Sequence, residues 1–180
     1  MPESLAYRLI RWLIDTLLSE EEKNRLIVEL KFKLPKVEVV EVDWDTLFNH
    51  VHGSLRINPR NIWLWDAKYR VPRLGDVEKI IKYDWTNTKP YIREYFDCDD
   101  FARVFKAHML EYYMVNSVAL AIGEVRDKGT LRLLGYHAWN YITVVENGKL
   151  KTLLYEPQTD DLVEGRVIGS WVYIPLLVIY

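Results

Sequence analysis

The sequence predicts an α+β domain in which helices come first and a mostly antiparallel sheet follows. Three observations support this: helical spacing of apolar residues in the first third, one amphipathic helix near the middle, and several β-rich segments in the second half. The chain has 180 residues, of which 49% are hydrophobic, so it is long enough to build one core. We therefore expect residues 1–180 to form a single domain.

The elements can be placed in order along the chain. Helical spacing from Leu5 to Leu17, followed by a capping-box pattern of Ser19 with Glu22, predicts a helical extension over residues 1–35. Alternation predicts a short strand from Val37 to Val42, and we expect loops and short helices over residues 43–73. The remaining elements are helices over 76–83 and 97–114, a loop over 84–95, and strands over 117–125, 131–134, 137–145, 150–156 and 171–179.

Charge and composition exclude several classes of protein. The chain has 26 acidic residues against 24 Lys plus Arg, a formal net charge of −2, which argues against a basic nucleic-acid binder. One cysteine excludes a disulfide framework and a multi-cysteine zinc site. With no signal-peptide layout and no stretch long enough to span a membrane, we expect a cytoplasmic protein. The scarcity of Gln, present only as Gln158, is typical of thermophilic proteins.

The single cysteine lies where a reactive thiol is expected. Asp97 is a good N-cap, so Cys98 begins the predicted helix and the positive end of the helix dipole favours its thiolate. The negative charges of Asp99 and Asp100 oppose that ionisation. Either these acids only cap the helix, or a hard cation such as Ca²⁺ or Mn²⁺ lies among them. A lone cysteine can also be a small buried apolar residue.

An Asn-Gly pair fixes the register of a β-hairpin. With Asn147 and Gly148 as the two loop residues, Glu146 pairs with Lys149. Alternation then places four side chains on one face of the hairpin: His137, Trp139, Glu156 and Gln158. In this register Gln158 lies opposite His137, and Glu156 is a diagonal neighbour within reach of a long side chain.

These residues suit covalent nucleophilic catalysis. Cys98 would attack a carbonyl, His137 would take and return the proton, and Glu156 would hold the imidazole and stabilise its charged form. The backbone N–H of Cys98 is a natural oxyanion donor, and Gln158 or a Trp indole would supply a second.

Three short motifs follow one another in the chain. They are Cys98-Asp99-Asp100-Phe101-Ala102, His137-Ala138-Trp139-Asn140 and Glu156-Pro157-Gln158. In this order they resemble the transglutaminase-like branch of the papain-type cysteine protease superfamily. The resemblance is closest to the calcium-activated cysteine protease domain of fungal agglutinins and to phage and archaeal-virus proteins with a similar Cys-Asp-Asp-Phe-Ala box. Most transglutaminase-like enzymes carry Asp where this chain has Glu156, which makes crosslinking less expected.

The resemblance has consequences for fold and site. It implies a papain/transglutaminase-like α+β fold, with a central helix packed on the sheet and a catalytic core over residues 83–161. It implies that Cys98, His137 and Glu156 form a triad. It also implies a cation near three oxygen ligands: Asp99, Asp100 and Asn140.

Together these observations predict a thiol hydrolase or acyltransferase that acts at an amide bond through an acyl-enzyme at Cys98. The substrate would be a peptide, an isopeptide or a murein-like crosslink, and Trp85 and Trp139 are the candidates to contact it. One alternative is a catalytically inactive relative that acts as a metal- or partner-binding module. Another is a metal-dependent phosphodiesterase that uses the Asp cluster.

Overall fold

The computed structural model describes residues 16–19, 21–22 and 34–180. The helices predicted before residue 35 therefore lie almost entirely outside the described residues. Their junction is described, and there the Ser19 N–H donates to Glu22 Oε2 at 2.8 Å while the Glu22 N–H donates to Ser19 Oγ at 3.3 Å. These two bonds confirm the capping box.

The helices of the described part are α1 (Trp44–Leu55), α2 (Leu74–Tyr83) and α3 (Cys98–Tyr113), with 3₁₀ turns at Pro59–Asn61 and Thr86–Thr88. The helices predicted over 76–83 and 97–114 are confirmed within two residues at each end. Helix α1 lies where loops and short helices were expected, and its position was not predicted because its Asn, His and Gly residues obscure an apolar stripe of Leu47, Val51 and Leu55. Its start is capped by Asp43, whose Oδ1 accepts the Thr46 N–H at 2.8 Å.

The strands are β1 (Val39–Asp43), β2 (Ile62–Trp63), β3 (Lys68–Pro72), β4 (Val118–Asp127), β5 (Leu133–Glu146), β6 (Lys149–Glu156), β7 (Asp161–Glu164), β8 (Val167–Ile168) and β9 (Trp171–Ile179). A seven-stranded sheet has the order β2-β9-β4-β5-β6-β7, with β8 paired to β9, while β1 and β3 form a separate ribbon. The large sheet is antiparallel except where β2 runs parallel to β9. The strands predicted over 131–134 and 137–145 are one strand, β5.

The predicted fold class needs correction. Strands hold more of the described residues than helices do, and the helical N-terminal part on which the α+β prediction relied is outside them. Strands β2, β7 and β8 have two to four residues, too few for alternation to be recognised in the sequence. Within the described ranges, no helix has the length and apolar character needed to cross a bilayer.

The large sheet is covered on both faces. Leu47 and Val51 of α1 belong to one apolar cluster with Trp139 of β5. Phe105 of α3 belongs to a second cluster with Ile142 of the same strand. Successive residues of a strand point to opposite faces, so β5 contributes odd-numbered side chains to the α1 face and even-numbered ones to the α3 face.

Gly123 on β4 marks a close approach between strands. It lies directly opposite His137 of β5, and the pairing of β4 with β9 shifts register just before it. A Cβ at this position would lie 2.1 Å from the backbone oxygen of Ile174 and 2.8 Å from the Trp139 ring. The sheet therefore requires a residue without a side chain here.

We expect Gly123→Ala to lower the free energy of unfolding by about 3 kcal/mol, because a backbone carbonyl on β9 cannot turn away as a flexible side chain would. Urea unfolding followed by far-ultraviolet circular dichroism measures the change. Gly135→Ala is the matched control, since it lies on β5 at a point where an added Cβ would meet no atom within 4 Å. Equal losses in the two variants would contradict the close-approach explanation.

Candidate functional site

Cys98 is the first residue of α3 and is partly exposed. Asp97 is the N-cap residue, as predicted, and its backbone N–H donates to Asp100 Oδ2 at 3.2 Å. Asp100 therefore closes the first turn of the helix. The thiol sits at the positive end of a 16-residue helix, where the helix dipole favours a negative charge.

A buried amide fastens this helix to the sheet. Asn140 of β5 is fully buried, and its Nδ2 donates to the backbone oxygen of Ala102 in α3 and to that of Ala119 in β4, each at 3.0 Å. The first turns of α3 are thereby held against the strand that carries His137, three residues away. Asn140 was predicted as a cation ligand, and in the structure its amide nitrogen serves this packing contact.

The predicted hairpin register is confirmed over most of its length. Glu146 pairs with Lys149, and the β5–β6 ladder ends at the pair Asn140 and Tyr155. The expected pairing of His137 with Gln158 does not occur, because β5 continues beyond this point without β6 beside it. Strand β6 ends at residue 156.

The His137 imidazole nevertheless meets the predicted carboxylate. His137 Nε2 lies 2.7 Å from Glu156 Oε2, and the two side chains are 15% and 5% exposed. Glu156 also accepts the Tyr173 hydroxyl on Oε2 at 3.2 Å, and the Gln158 backbone and side-chain nitrogens on Oε1 at 3.3 and 3.4 Å. Gln158, predicted as an oxyanion donor, thus supports the carboxylate.

Tyr173 is the site residue that the sequence analysis missed. It lies on β9, where it pairs with Val125 of β4, and its ring is buried beside His137 and Trp139 at centroid distances of 6.0 and 5.2 Å. No local pattern marks this tyrosine, because only the order of strands in the sheet brings β9 near the end of β6.

The His137 imidazole interacts with both Cys98 and Glu156 through hydrogen bonds and charge. Burial alone would lower the pKa of His137, but hydrogen bonds with Cys98 and Glu156, and the negative charges of both, raise that pKa to about 9. The imidazole is therefore protonated at neutral pH. Since Nε2 bonds to Glu156, Nδ1 is the nitrogen left to interact with the Cys98 sulfur.

The acidic residues around the thiol are partly neutralised by an arginine. Arg103 Nη2 lies 2.8 Å from Asp99 Oδ2 and its Nη1 lies 3.3 Å from Asp100 Oδ1. Asp97, Cys98 and Asp99 each offer a ligand atom within 4.8 Å of one another. A hydrogen bond between Asp97 and Asp99 lowers the pKa of the first and raises that of the second. A Ca²⁺ or Mn²⁺ ion at Asp99 and Asp100 stays a prediction.

The two predicted substrate-contacting tryptophans have different surroundings. Trp139 is fully buried and packs against Tyr141 and Tyr173, which places it in the core and not on a surface open to a ligand. Trp85 is 43% exposed and packs on His108 at a centroid distance of 5.0 Å. Its outer face is open to solvent.

Comparison with known proteins identifies structural neighbours. No family model and no curated protein matches the chain. A solved chain described as a PSL1a-E64 complex matches at 23% identity and a TM-score of 0.58, over 78% of this chain and 51% of that one. Polyporus squamosus lectin bound to the epitope Neu5Aca2-6Galb1-4GlcNAc matches at 22% identity and a TM-score of 0.47, over 82% and 50%. The chain thus spans about half the length of these neighbours.

These neighbours correct the assignments drawn from the motifs. They are chains of a lectin, whereas the motifs predicted a transglutaminase-like or papain-like cysteine peptidase. The same finding, that the neighbours are chains of a lectin, contradicts the predicted thiol hydrolase or acyltransferase activity at amide bonds. The predicted peptide, isopeptide or murein-like substrates are corrected together with the peptidase assignment on which they depended. At 23% identity the PSL1a match establishes a shared fold. Three short motifs in order were too few residues to fix a family.

We expect Glu156→Gln to bring the pKa of His137 down from about 9 towards the ordinary histidine value of about 6.5. The amide keeps the shape of the side chain but removes the negative charge that favours imidazolium. Titration of the His137 ring protons by NMR measures the shift. Tyr173→Phe is the control, because it removes one hydrogen bond to Glu156 and leaves the charge. An unchanged His137 pKa in Glu156→Gln would contradict this assignment.

The same pair predicts how stability depends on pH. A histidine whose folded pKa exceeds its unfolded pKa stabilises the protein below the unfolded value, and this contribution is lost as pH rises through the folded value. For His137 the window runs from about 6.5 to about 9, and the loss is at most about 3 kcal/mol. Urea unfolding across this window in Cys98→Ser, where no thiol proton enters the balance, should show stability falling, and falling less when Glu156→Gln is added. A Cys98→Ser stability that rises across the window would contradict the prediction.

The cation prediction is tested by thermal unfolding in Ca²⁺, in Mn²⁺ and in chelator. A bound cation stabilises the folded state increasingly as its concentration rises above Kd, so either metal should raise the Tm. Asp99→Asn should abolish the increase, while Asp127→Asn, a carboxylate on a distant turn, should retain it. A Tm that is the same in metal and in chelator would exclude the site.

Proposed function

We propose that Cys98, His137 and Glu156 form a reactive-thiol site that binds electrophilic ligands covalently through the Cys98 sulfur. The observation that carries the proposal is the buried His137–Glu156 pair at 2.7 Å, whose imidazole also interacts with the Cys98 thiol. The proposal covers bond formation at sulfur and includes no cleavage or transfer at an amide bond.

The proposed chemistry begins with a proton held on His137. In the reactive form, Nδ1 carries the proton of the Cys98 thiol and the sulfur is a thiolate, which is the nucleophilic form of cysteine. The helix dipole and the imidazolium both stabilise that negative charge. As the sulfur forms a bond to an electrophilic carbon, another bond of that carbon breaks and its electron pair stays on the second atom. That atom either departs as an anion or, where it remains part of the ligand, takes up the Nδ1 proton.

Glu156 keeps this arrangement in place. A buried imidazolium without a partner would be strongly destabilised, and a nearby carboxylate with good hydrogen bonds offsets much of that cost. Tyr173 and Gln158 occupy other lone pairs of Glu156, so the carboxylate presents a fixed oxygen to His137 Nε2. A fixed partner on Nε2 holds the ring orientation that leaves Nδ1 for the Cys98 sulfur.

Alkylation by iodoacetamide tests the proposal directly, because Cys98 is the single cysteine of the chain. We expect the wild type to react near neutral pH at least about tenfold faster than His137→Ala, which lacks the imidazolium that stabilises the thiolate. The rate is read from the mass of the intact protein. The difference should narrow above about pH 9, where the variant's thiol also ionises.

Two controls make the result interpretable. His52→Ala removes an exposed histidine of α1 and should react like the wild type. Circular dichroism of each variant shows whether it is folded. Equal alkylation rates in folded wild type and folded His137→Ala across this pH range would overturn the proposal.

E64 is the first ligand to test beyond simple alkylating reagents, because PSL1a is found in complex with it. We expect incubation with E64 to add its mass to the wild type, and expect Cys98→Ser to remain unmodified. Modification of Cys98→Ser would assign E64 binding to another part of the chain.

The cytoplasm is the compartment we infer for such a site. A single unpaired thiol stays reduced in the cytosol and is prone to oxidation or disulfide exchange outside it.

A further inference from the structure

A cavity of about 380 Å³ lies between α1 and the β6–β7 edge of the sheet. Its lining includes His50, Ser54 and Leu55 of α1, Leu150 and Lys151 of β6, and Glu164, Gly165 and Arg166 at the end of β7. Its lining includes none of the thiol-site residues Cys98, His137 and Glu156. The volume is within the range of about 300–1,000 Å³ that small-molecule sites occupy, so the cavity can be considered a binding site in its own right.

Two cations of the lining, Lys151 and Arg166, are matched by one carboxylate of the lining, Glu164, and by Glu146, which lies beside the cavity and pairs with Lys151. Lys151 Nζ lies 2.9 Å from Glu146 Oε2 and 2.9 Å from Glu164 Oε2. An anionic ligand would meet the Glu164 carboxylate, and a cationic ligand would meet Lys151 and Arg166. The walls therefore favour a ligand without net charge.

The polar groups of the cavity both donate and accept hydrogen bonds. Arg166 and Lys151 only donate, a carboxylate such as Glu164 only accepts, and the Ser54 hydroxyl does both. Burial lowers the pKa of His50, so near neutral pH its ring is uncharged, with one nitrogen that donates and one that accepts. Ser54 Oγ and His50 Nε2 lie 3.4 Å apart, which places these groups side by side on α1.

Apolar side chains complete the wall. Leu55 closes α1 and is 4% exposed, and Leu150 at the start of β6 packs on the same cluster. A ligand that fits must therefore present hydroxyl-like groups in one direction and C–H groups in another.

We infer that this cavity binds a small neutral saccharide of one or two rings. Each sugar hydroxyl can donate to Glu164 and accept from Arg166, Lys151 or His50, while the C–H groups of the ring pack against Leu55 and Leu150. Neighbouring donors and acceptors match the vicinal hydroxyls of a sugar better than they match any charged group. This inference does not depend on the reactive-thiol proposal.

The experiment is an NMR titration of the ¹⁵N-labelled chain with the methyl glycosides of galactose, glucose, mannose and N-acetylglucosamine. With at least one glycoside, we expect saturable shifts of the Ser54 and Gly165 amide signals in the millimolar range that simple sugar sites show. Ser54→Phe places a ring in the cavity and should weaken binding about tenfold or more. Asn49→Phe places the same ring on an exposed position of α1 outside the lining and should leave binding unchanged.

Inorganic phosphate and methylammonium serve as charged probes. If either shifts the Ser54 and Gly165 amides and no glycoside does, the cavity takes a charged ligand and the inference is overturned. It is also overturned if the glycosides cause no saturable shift, or if Ser54→Phe binds as well as Asn49→Phe. Cys98 alkylation of Ser54→Phe should equal that of the wild type, which keeps this test separate from the thiol site.

Discussion

The buried amide of Asn140 joins the two elements on which the candidate site depends. Its two hydrogen bonds, to a carbonyl of α3 and to one of β4, fix where the helix starts relative to the sheet. If Asn140 were replaced by a residue that cannot donate, each carbonyl left unsatisfied would lower the free energy of unfolding by about 1–3 kcal/mol. The same cost applies if the replacement side chain only accepts hydrogen bonds. The position of Cys98 against His137 therefore rests on a residue that does not touch the sulfur.

A second constraint is the burial of opposite charges at the end of β6. Glu156 is almost fully buried, and its oxygens are occupied by His137, Tyr173 and Gln158. The hydrogen bond and the negative charge of this carboxylate raise the pKa of His137 and favour its protonated form. The same interactions thus orient the histidine, set its protonation state and make the site sensitive to pH.

The negative residues at the start of α3 have structural partners that offset their charge. Asp100 completes the first turn of the helix, and Arg103 pairs with Asp99 and Asp100 from the next turn. The helix dipole, the His137 imidazolium and the Arg103 guanidinium therefore favour a negative charge on the Cys98 sulfur, and the carboxylates oppose it. A count of carboxylates in the sequence alone overstates their effect on the thiol.

The thiol-site histidine and the cavity lie on the same face of the sheet, since His137 is an odd-numbered residue of β5 and packs on Trp139 of the α1 cluster. The α1 face buries Trp139, and the cavity between α1 and the β6–β7 edge is lined by side chains of both charges. Gly123 links the packing of this sheet to the thiol site, because it lies opposite His137 and leaves room for Trp139. A small change in the spacing of the strands at Gly123 would therefore displace His137 as well as the buried Trp139.

Local patterns in the sequence determined helix α3 with its cap, the Asn147–Gly148 hairpin and the contact between His137 and Glu156. These features were predictable because capping, turn chemistry and alternation act over a few residues. The position of helix α1 and the strands β2, β3, β7 and β8 were missed, since their patterns are weak or too short. Only the tertiary structure decided the roles of Asn140, Tyr173 and Trp139. Contacts between strands distant in sequence depend on the order of the whole sheet, and no short segment encodes that order.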